Sequence, residues 1–406
     1  MNFTTSPNDS VIVSYRRTPF GRAKKGVFAE ERPEDLAAAA VAGALGDLGS
    51  EVLSLLEDSY YGCAVPEGTQ GDNIARRVNV MLGYDFLPGV TVNRFCASSL
   101  QALAVASQAI RAGEGSAYLA AGVESTSSAP PVVNAPHPVF TESARRAKRA
   151  FELHEEWTNP REFGLSPDVS IPMGMTAEFV AGLTKTSRQD QDEWAFISQT
   201  RARQSAEAGL FKQEIVKYTT KSGNVVDIDE CPRPETTLEG LASLNPVFRE
   251  NGTVTAGNAS PLNDGASSMV VMSAAAANAL GIKPQARILG SAATALSPEI
   301  MGLGPVEASL KLLKRFAMAI DDIDVIELNE AFAAQVVPTI RMLKADPERV
   351  NPLGGAISLG HPFGATGIRL VGSAINALKH RDGTLGLATL CVGGGQGMAL
   401  LIERLD

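Results

Sequence analysis

Three short stretches carry residues suited to nucleophilic and proton-transfer chemistry. The first is Asn93-Arg94-Phe95-Cys96-Ala97-Ser98-Ser99, where an apolar strand (Gly89 to Val92) runs into Cys96 and an Ala/Ser-rich helix begins just after it. A cysteine at a helix N-terminus meets free N–H groups and the positive end of the dipole. Its pKa is therefore expected to fall from about 8.5 toward neutrality. The same N–H groups can hold a developing oxyanion. The competing reading is a small buried hydrophobe, the ordinary fate of a free cysteine. The second stretch is Gly354-Gly355-Ala356-Ile357-Ser358-Leu359-Gly360-His361-Pro362-Phe363-Gly364-Ala365-Thr366-Gly367. His361 is one of four histidines in the chain. Neutral imidazole serves as base or as hydrogen-bond donor, and glycines let backbone approach closely; the alternative is a packed core histidine.

The third stretch, Cys391-Val392-Gly393-Gly394-Gly395-Gln396-Gly397, follows the apolar strand Gly386 to Leu390. Its glycines suggest a phosphate loop, but neither GxxxxGK[ST] nor a strand–GxGxxG–helix unit is present. A second cysteine beside free N–H groups suits acid/base work next to an oxyanion site. A fourth motif, Glu327-Leu328-Asn329-Glu330-Ala331-Phe332, ends another strand. There Asn329 can position a water or a carbonyl, cap the following helix, or both. Cys63 and Cys231 have no such context and read as ordinary small side chains.

The elements behind these motifs repeat. Ser98 to Ala120 lies over Thr366 to Ala388 at a constant offset of 268, without a gap. Ala106 meets Ala374, Ala109 meets Ala377 and Gly115 meets Gly383. Both copies read as an Ala/Gly/Ser-rich helix, a glycine turn and a short apolar strand. The offset also sets the segment ending at Gly62 opposite Asp324 to Glu330, and His361 opposite Asn93. Helices this poor in large side chains on every face are buried, and strands such as Ser10 to Ser14 and Ser268 to Met272 read as sheet covered on both sides. The expected fold is α/β, with two similar halves stacked on each other. Residues 1–123, completed by 258–275, form the N-terminal half. Residues 276–406 form the C-terminal half. Residues 124–257 form an inserted loop domain, richer in Pro, charge and aromatics and holding Trp157 and Trp194. Its basic run, Arg145, Arg146, Lys148 and Arg149, reads as a solvated helical face or as part of an anionic-ligand or subunit surface.

Composition bounds the remaining choices. The 406 residues carry a net charge of −9, against the basic balance usual for nucleic-acid binding. Four cysteines make no disulfide framework and no CxxC pair, which suits a reducing compartment. The N-terminus lacks the apolar stretch of a secretory signal, and no apolar run approaches the ~20 residues that span a bilayer. A soluble, cytoplasmic protein without membrane insertion is expected.

With the four motifs in this order, the chain resembles the thiolase family, the acetyl-CoA C-acyltransferases. The resemblance runs nearly end to end. It takes in RTPFGR (Arg17 to Arg22), NRFCASS, MGMTAE (Met173 to Glu178), GTVTAGNAS (Gly252 to Ser260), NEAF, GHPFGATG and CVGGGQG. It implies a duplicated, five-layered α-β-α-β-α core with an inserted loop domain. It also implies catalytic roles. Cys96 matches the nucleophile that takes the acyl group as a thioester. Cys391 matches the cysteine that moves protons at the α-carbon and the thiol. His361 matches the histidine that activates Cys96 and helps hold a thioester oxygen, and Asn329 the residue that holds a water there. The N–H groups of Cys96 and Gly393 match a second oxyanion site. For coenzyme A, Arg233 matches the contact at the nucleotide end, and Leu244, Phe248, Ser260 and Phe332 the pantetheine tunnel. Coenzyme A is then a substrate, with no permanently bound cofactor and no metal, and the protein a homodimer or homotetramer.

The implied reaction is cleavage of a 3-ketoacyl-CoA by CoA. A thiolate attacks the 3-keto carbon, the acetyl-CoA enolate leaves and is protonated, and a second CoA thiol takes the acyl group, in a reversible ping-pong scheme. The chain departs from the family pattern in places. Ser99 replaces a common glycine after the nucleophile, which would narrow the pocket or alter the helix start. Pro261 follows GNAS where glycine is usual. Pro130 to Ser170 lacks the His-Met pair of short-chain biosynthetic thiolases, which favours a broader or longer acyl chain. The alternatives are a ketoacyl synthase-type condensing enzyme, against which Cys391 speaks, and a non-catalytic acyl-CoA carrier, which would have lost a catalytic residue.

Overall fold

The computed structural model describes residues 6–130 and 137–406. The start of the N-terminal segment and residues 131–136 of the stretch compared with the covering loop therefore lie outside the described residues. The strands are β1 (Ser10–Arg17), β2 (Gly21–Arg22), β3 (Leu56–Gly62), β4 (Val90–Val92), β5 (Ala117–Ser125), β6 (Tyr218–Thr219), β7 (Val225–Val226), β8 (Asn263–Ser273), β9 (Ala286–Ala295), β10 (Val325–Leu328), β11 (Leu385–Val392) and β12 (Gln396–Arg404). The helices of the first part are α1 (Pro33–Gly46), α2 (Gly49–Leu55), α3 (Ile74–Met81) and α4 (Ser98–Ala112). The middle contributes α5 (Pro138–Glu152), α6 (Met173–Thr184), α7 (Arg188–Glu207) and α8 (Leu238–Ala242). The last part adds α9 (Ala274–Ala279), α10 (Gly304–Arg315), α11 (Ala333–Leu343), α12 (Ala356–Leu359) and α13 (Phe363–Arg381).

Ten strands form one sheet in the order β10-β11-β12-β9-β1-β8-β5-β3-β4, with β2 beside β8. The order is two copies of one pattern joined at their edges. In the first, β3 runs parallel to β5, β5 antiparallel to β8 and β8 antiparallel to β1. In the second, β10 runs parallel to β11, β11 antiparallel to β12 and β12 antiparallel to β9. The sheets meet where Val11 and Ile12 of β1 pair with Arg287 and Ala286 of β9. The sequence offset survives in the register. Leu56 pairs with Ala117, and 268 residues on, the Asp324 N–H bonds the Leu385 carbonyl at 3.0 Å.

The layering follows from side-chain alternation. On β5, Tyr118 and Ala120 face the central core with α4 and α13. Ala117, Leu119, Ala121 and Val123 face an outer core with α1 and α3. On the second sheet, Met398 and Leu400 face the central helices, whereas Ala399 and Leu401 face α10 and α11. The result is the α-β-α-β-α stack, with strands β5, β8 and β11 buried along both faces. Small residues let α4 and α13 approach to backbone contact. A Cβ on Gly367 of α13 would lie 2.3 Å from the Leu100 nitrogen of α4, and one on Gly62 would lie 2.2 Å from the Ser99 nitrogen.

Ser99 does not narrow a pocket, contrary to the expectation drawn from its bulk. It is fully buried, and its hydroxyl accepts a hydrogen bond from the Ile368 N–H in the second turn of α13 at 3.1 Å. It therefore ties the two central helices together.

Both tryptophans of the middle region reach carboxylates of the C-terminal half. Trp157 donates to Glu299 at 2.8 Å and Trp194 to Glu330 at 3.0 Å. Most of the basic run on α5 is spent on ion pairs: Arg145 with Glu142, Arg146 with Glu299, and Lys148 with Glu152. Among the described residues no single helix is long and apolar enough to cross a membrane, and no cluster of His, Cys, Asp and Glu is arranged to hold a metal ion.

Candidate active site

Four chain segments converge at one end of the central helices. Cys96 follows β4 and Asn329 follows β10; Cys391 lies at the end of β11, and His361 sits two residues before α13. Each parallel strand thus delivers its functional residue at its C-terminal end, beside the N-termini of α4 and α13.

Cys96 occupies a 3₁₀ turn, Phe95–Ala97, ahead of α4. Phe95 is held at φ +45°, a strained setting for an aromatic residue. Local side chains hold it there. Asn93 accepts from the Phe95 N–H at 2.8 Å, and Ser98 accepts from the Arg94 N–H at 2.9 Å while donating to the Phe95 carbonyl at 2.6 Å. Arg94 then crosses to the other half, donating to the Gln396 side chain at 2.8 Å, and Gln396 donates to the Gly393 carbonyl at 3.3 Å. This strut fixes the Cys96 turn against the β11–β12 turn, whose Gly394 and Gly395 take φ of +74° and +79°. The glycine turn also lies against the Phe95 ring, which a Cβ on Gly393 would meet at 3.4 Å.

Burial pushes the Cys96 thiol up to about 12, with Glu124 adding to the rise and the N–H groups of Gly393 and Cys96 opposing it. The expected drop toward neutrality is therefore corrected: the loss of water outweighs the N–H groups that favour the thiolate. Burial also pushes the Cys391 thiol well up, and negative charge on Cys96 pushes it further, which places the two sulfurs within electrostatic reach. In the resting site both are neutral thiols.

His361 is 1% exposed, and burial, reinforced by Arg369, pulls its imidazole down to about 3. It is neutral, and its tautomer can be assigned. The Thr366 hydroxyl donates its one proton to the Pro362 carbonyl at 2.9 Å, so its oxygen accepts from His361 Nδ1–H at 2.7 Å. Nε2 is left with its lone pair, 3.2 Å from the Asn329 amide nitrogen. The Asn329 carbonyl oxygen has no partner within the described residues. Asn329 does not cap the next helix: Phe332 stands at that position. The backbone around His361 is fixed by Asn263, which accepts its N–H at 2.8 Å. The buried Glu124 carboxylate accepts from the N–H groups of Ala64, Val65 and Gly364, joining the loops of both halves.

Of the remaining residues, Phe332, Phe248 and Ser260 lie beside the Asn329 loop, whereas Arg233 contacts Gln199 and Ala256. Phe332 is buried and meets the half-exposed Phe248 ring edge-to-face at 6.1 Å. Ser260 bonds the Ala331 carbonyl through its N–H at 3.0 Å and its hydroxyl at 3.2 Å. Leu244 packs over Gly257. Arg233 is exposed at the rim, with its guanidinium 3.4 Å from the Ala256 carbonyl. Cys63 lies buried 3.9 Å from Glu124, and Cys231 accepts from Asn263 at 3.0 Å, both remote in role from the paired thiols. Sequence reasoning missed Thr366, Arg94, Gln396, Glu124 and Glu330. Of these, Thr366 carried a signal, standing five residues after His361 at the start of a helix.

A duplicated five-layer core with two thiols and a neutral histidine at the meeting point of its halves defines a thiol-dependent acyltransferase of the thiolase family, and the chain belongs to that family. The thiolase N-terminal domain model matches residues 10–275 and the C-terminal domain model residues 282–404. Among characterised relatives, the beta-ketoadipyl-CoA thiolase of Pseudomonas aeruginosa is 44% identical, covering 96% of this chain and 97% of that protein. The 3-ketoacyl-CoA thiolase of Idiomarina loihiensis is 43% identical, covering 98% of this chain and 100% of that protein. In structure the chain is similar to the dimeric peroxisomal thiolase of Saccharomyces cerevisiae, with a TM-score of 0.89, 33% identity and 99% of each chain covered. It is also similar to human mitochondrial 3-ketoacyl-CoA thiolase in complex with CoA, with a TM-score of 0.85, 32% identity and 100% of each chain covered. The protein is an acyl-CoA acyltransferase that cleaves 3-ketoacyl-CoA thiolytically.

Proposed function

We propose that Cys96 carries the acyl group and that His361, Asn329, Cys391 and Gly393 complete the machinery. The observations that carry this reading are the Arg94–Gln396–Gly393 hydrogen bonds, which join the Cys96 turn of one half to the glycine turn of the other, and the 3.2 Å contact of Asn329 with His361 Nε2. His361 Nε2 takes the Cys96 proton as the sulfur attacks the 3-keto carbon. The C2–C3 bond breaks, Cys96 holds the shortened acyl group as a thioester, and the electron pair moves onto the acetyl-CoA enolate. Cys391 protonates the enolate carbon. An incoming CoA thiol then gives its proton to Cys391 and attacks the thioester, releasing acyl-CoA and the Cys96 sulfur, which takes its proton back from His361. The N–H groups of Cys96 and Gly393 stabilise one oxyanion, and protonated His361, with a water held by Asn329, the other.

Coenzyme A as substrate is supported by the human relative's complex, and we assign its contacts to Arg233, Leu244, Phe248, Ser260 and Phe332. The division into residues 1–123 with 258–275, 124–257 and 276–406 belongs to the same reading, as do a cytoplasmic location and a homodimer or homotetramer. The dimeric yeast relative supports an oligomer, as does the free edge of β4 with exposed Val90 and Phe86 nearby. The acyl chain is longer or broader than acetoacetyl.

Intact-mass measurement after mixing with 3-ketoacyl-CoA tests the site. Cys96→Ala abolishes turnover and the acyl adduct. Cys391→Ala still acylates but no longer exchanges the α-protons of acetyl-CoA with D₂O. An adduct persisting on another cysteine in Cys96→Ala sinks the assignment.

A further inference from the structure

A second polar pair lies behind His361 and Asn329. Glu327 on β10 stands two residues before Asn329, whose N–H still bonds the Thr389 carbonyl of β11 at 3.0 Å, so the chain between them is extended. Arg369 stands three residues after Thr366 on α13. Positions two apart on a strand, or three apart on a helix, share a face. Both side chains are fully buried, and Arg369 Nη1 donates to Glu327 Oε2 at 3.3 Å. Asn329 and Thr366 are the residues at the two ring nitrogens of His361. The Arg369–Glu327 pair therefore repeats, one step further from the thiols, the link between β10 and α13 that Asn329 makes with His361.

The pair belongs to a buried cluster with three carboxylates, Glu214, Asp229 and Glu327, against two guanidinium groups, Arg17 and Arg369. Glu214 accepts from Arg17 Nε at 2.7 Å and from Asn376 of α13 at 2.5 Å. Asp229 accepts from Arg17 Nη1 and Nη2 at 2.6 and 2.8 Å and from the Phe20 N–H at 2.8 Å. Glu327 is left with the one donor from Arg369, and its Oε1 has no partner among the described residues. Arg369 is as thinly matched: its Nε and Nη2 have no partner among the described residues, nor has the Tyr15 hydroxyl of β1, which faces the same charge. Burial pushes the Glu327 carboxyl up to about 8; Arg369 opposes the rise, and Glu330 and Glu214 add to it. Ionisation of Glu327 thus changes how far Arg369 is compensated, and Arg369 is the charge that, after burial, lowers the His361 imidazole.

We propose that Glu327 and Arg369 are positioning residues for His361: ionised Glu327 offsets the Arg369 charge and lets the imidazole take the Cys96 proton more readily, whereas protonated Glu327 leaves that charge to hold the imidazole neutral. This rests on the proposed proton transfer from Cys96 to His361 and deepens it. Loading of Cys96 from hexanoyl-CoA, the reverse of the final step, tests it, because that donor does not titrate between pH 6 and pH 10. Cys96 gives its proton to His361, its sulfur takes the acyl group, and CoA leaves with the Cys391 proton. By rapid-quench intact mass, the ratio of native to Glu327→Gln loading rates is expected to rise about three- to ten-fold from pH 6 to pH 10, with its midpoint near pH 8. The ratio cancels any thiolate route through Cys96 that both proteins share. Glu327→Asp and Arg369→Lys keep a pH-dependent rise over Glu327→Gln, and Arg369→Met loses it. Infrared difference spectra of the native enzyme over the same range lose one protonated-carboxyl band, which Glu327→Asp shifts and Glu327→Gln lacks; this reading needs no turnover and does not depend on the Gln variant folding. A flat ratio while Cys96 is still loaded, or no such band in the native enzyme, overturns the inference and leaves the thiolase reading intact. A native enzyme that forms no adduct on Cys96 would instead count against the nucleophile assignment, and with it against this role of Glu327.

Discussion

At the scale of single residues, the site is poised by dehydration rather than by charge. The Cys96 thiol lies near 12 and the His361 imidazole near 3, both driven by burial. Both shifts disfavour a thiolate–imidazolium pair, and on the proposed mechanism proton transfer accompanies attack. Alkylation of Cys96 by iodoacetamide is therefore expected to speed up about ten-fold per pH unit from pH 6 to pH 9, as the thiolate fraction does well below its pKa. A plateau centred near pH 7 would contradict this. Thr366 matters because it selects the tautomer that leaves Nε2 free to accept a proton. Thr366→Val keeps the shape but offers Nδ1 no acceptor, and should lower kcat about 10²-fold with little change in KM. Thr366→Ser should restore most of it, an outcome that steady-state kinetics reads directly.

At the scale of elements, buried carboxylates hold the catalytic loops. Glu330 accepts from Trp194 and Ser198 of α7, from Asn351 at 2.8 Å and from the Ile357 N–H at 3.1 Å. One side chain of the Asn329 loop thereby fixes the middle region and the segment leading to His361. Glu330→Ala would strand four buried donors, and a loss of about 3 kcal/mol or more in urea unfolding is expected. Glu330→Gln, which keeps one carbonyl acceptor, should lose less. The motif NEAF was legible in the sequence as a candidate for Asn329. The job of its glutamate was not, because its partners lie 21 to 136 residues away in the chain.

At the scale of the whole molecule, the close approach of two helices positions the proposed catalytic pair. α4 follows Cys96 and α13 follows His361, so their separation sets the geometry of the pair. Gly367→Ala would place a methyl group 2.3 Å from the Leu100 backbone nitrogen, which cannot swing aside. The helices would part, with an expected cost of about 1–3 kcal/mol and a fall in kcat alongside. Differential scanning calorimetry together with thiolysis rates checks both. An enzyme of native stability and rate would show that the contact relaxes elsewhere.

The sequence by itself determined the duplicated architecture. The offset of 268 persists because each copy must present the same pattern of small and apolar residues to build its sheet and central helix, and such patterns are local. It also identified the residues able to do chemistry, since their types and flanking glycines are local too. Tertiary structure decided what those residues become. Burial, against the opposing N–H groups of Gly393 and Cys96, raises the Cys96 thiol. Ser99 faces α13 instead of a pocket because α4 and α13 meet backbone to backbone at Gly367 and Leu100. Desolvation and convergence are properties of the assembled space, and no single stretch of chain encodes them.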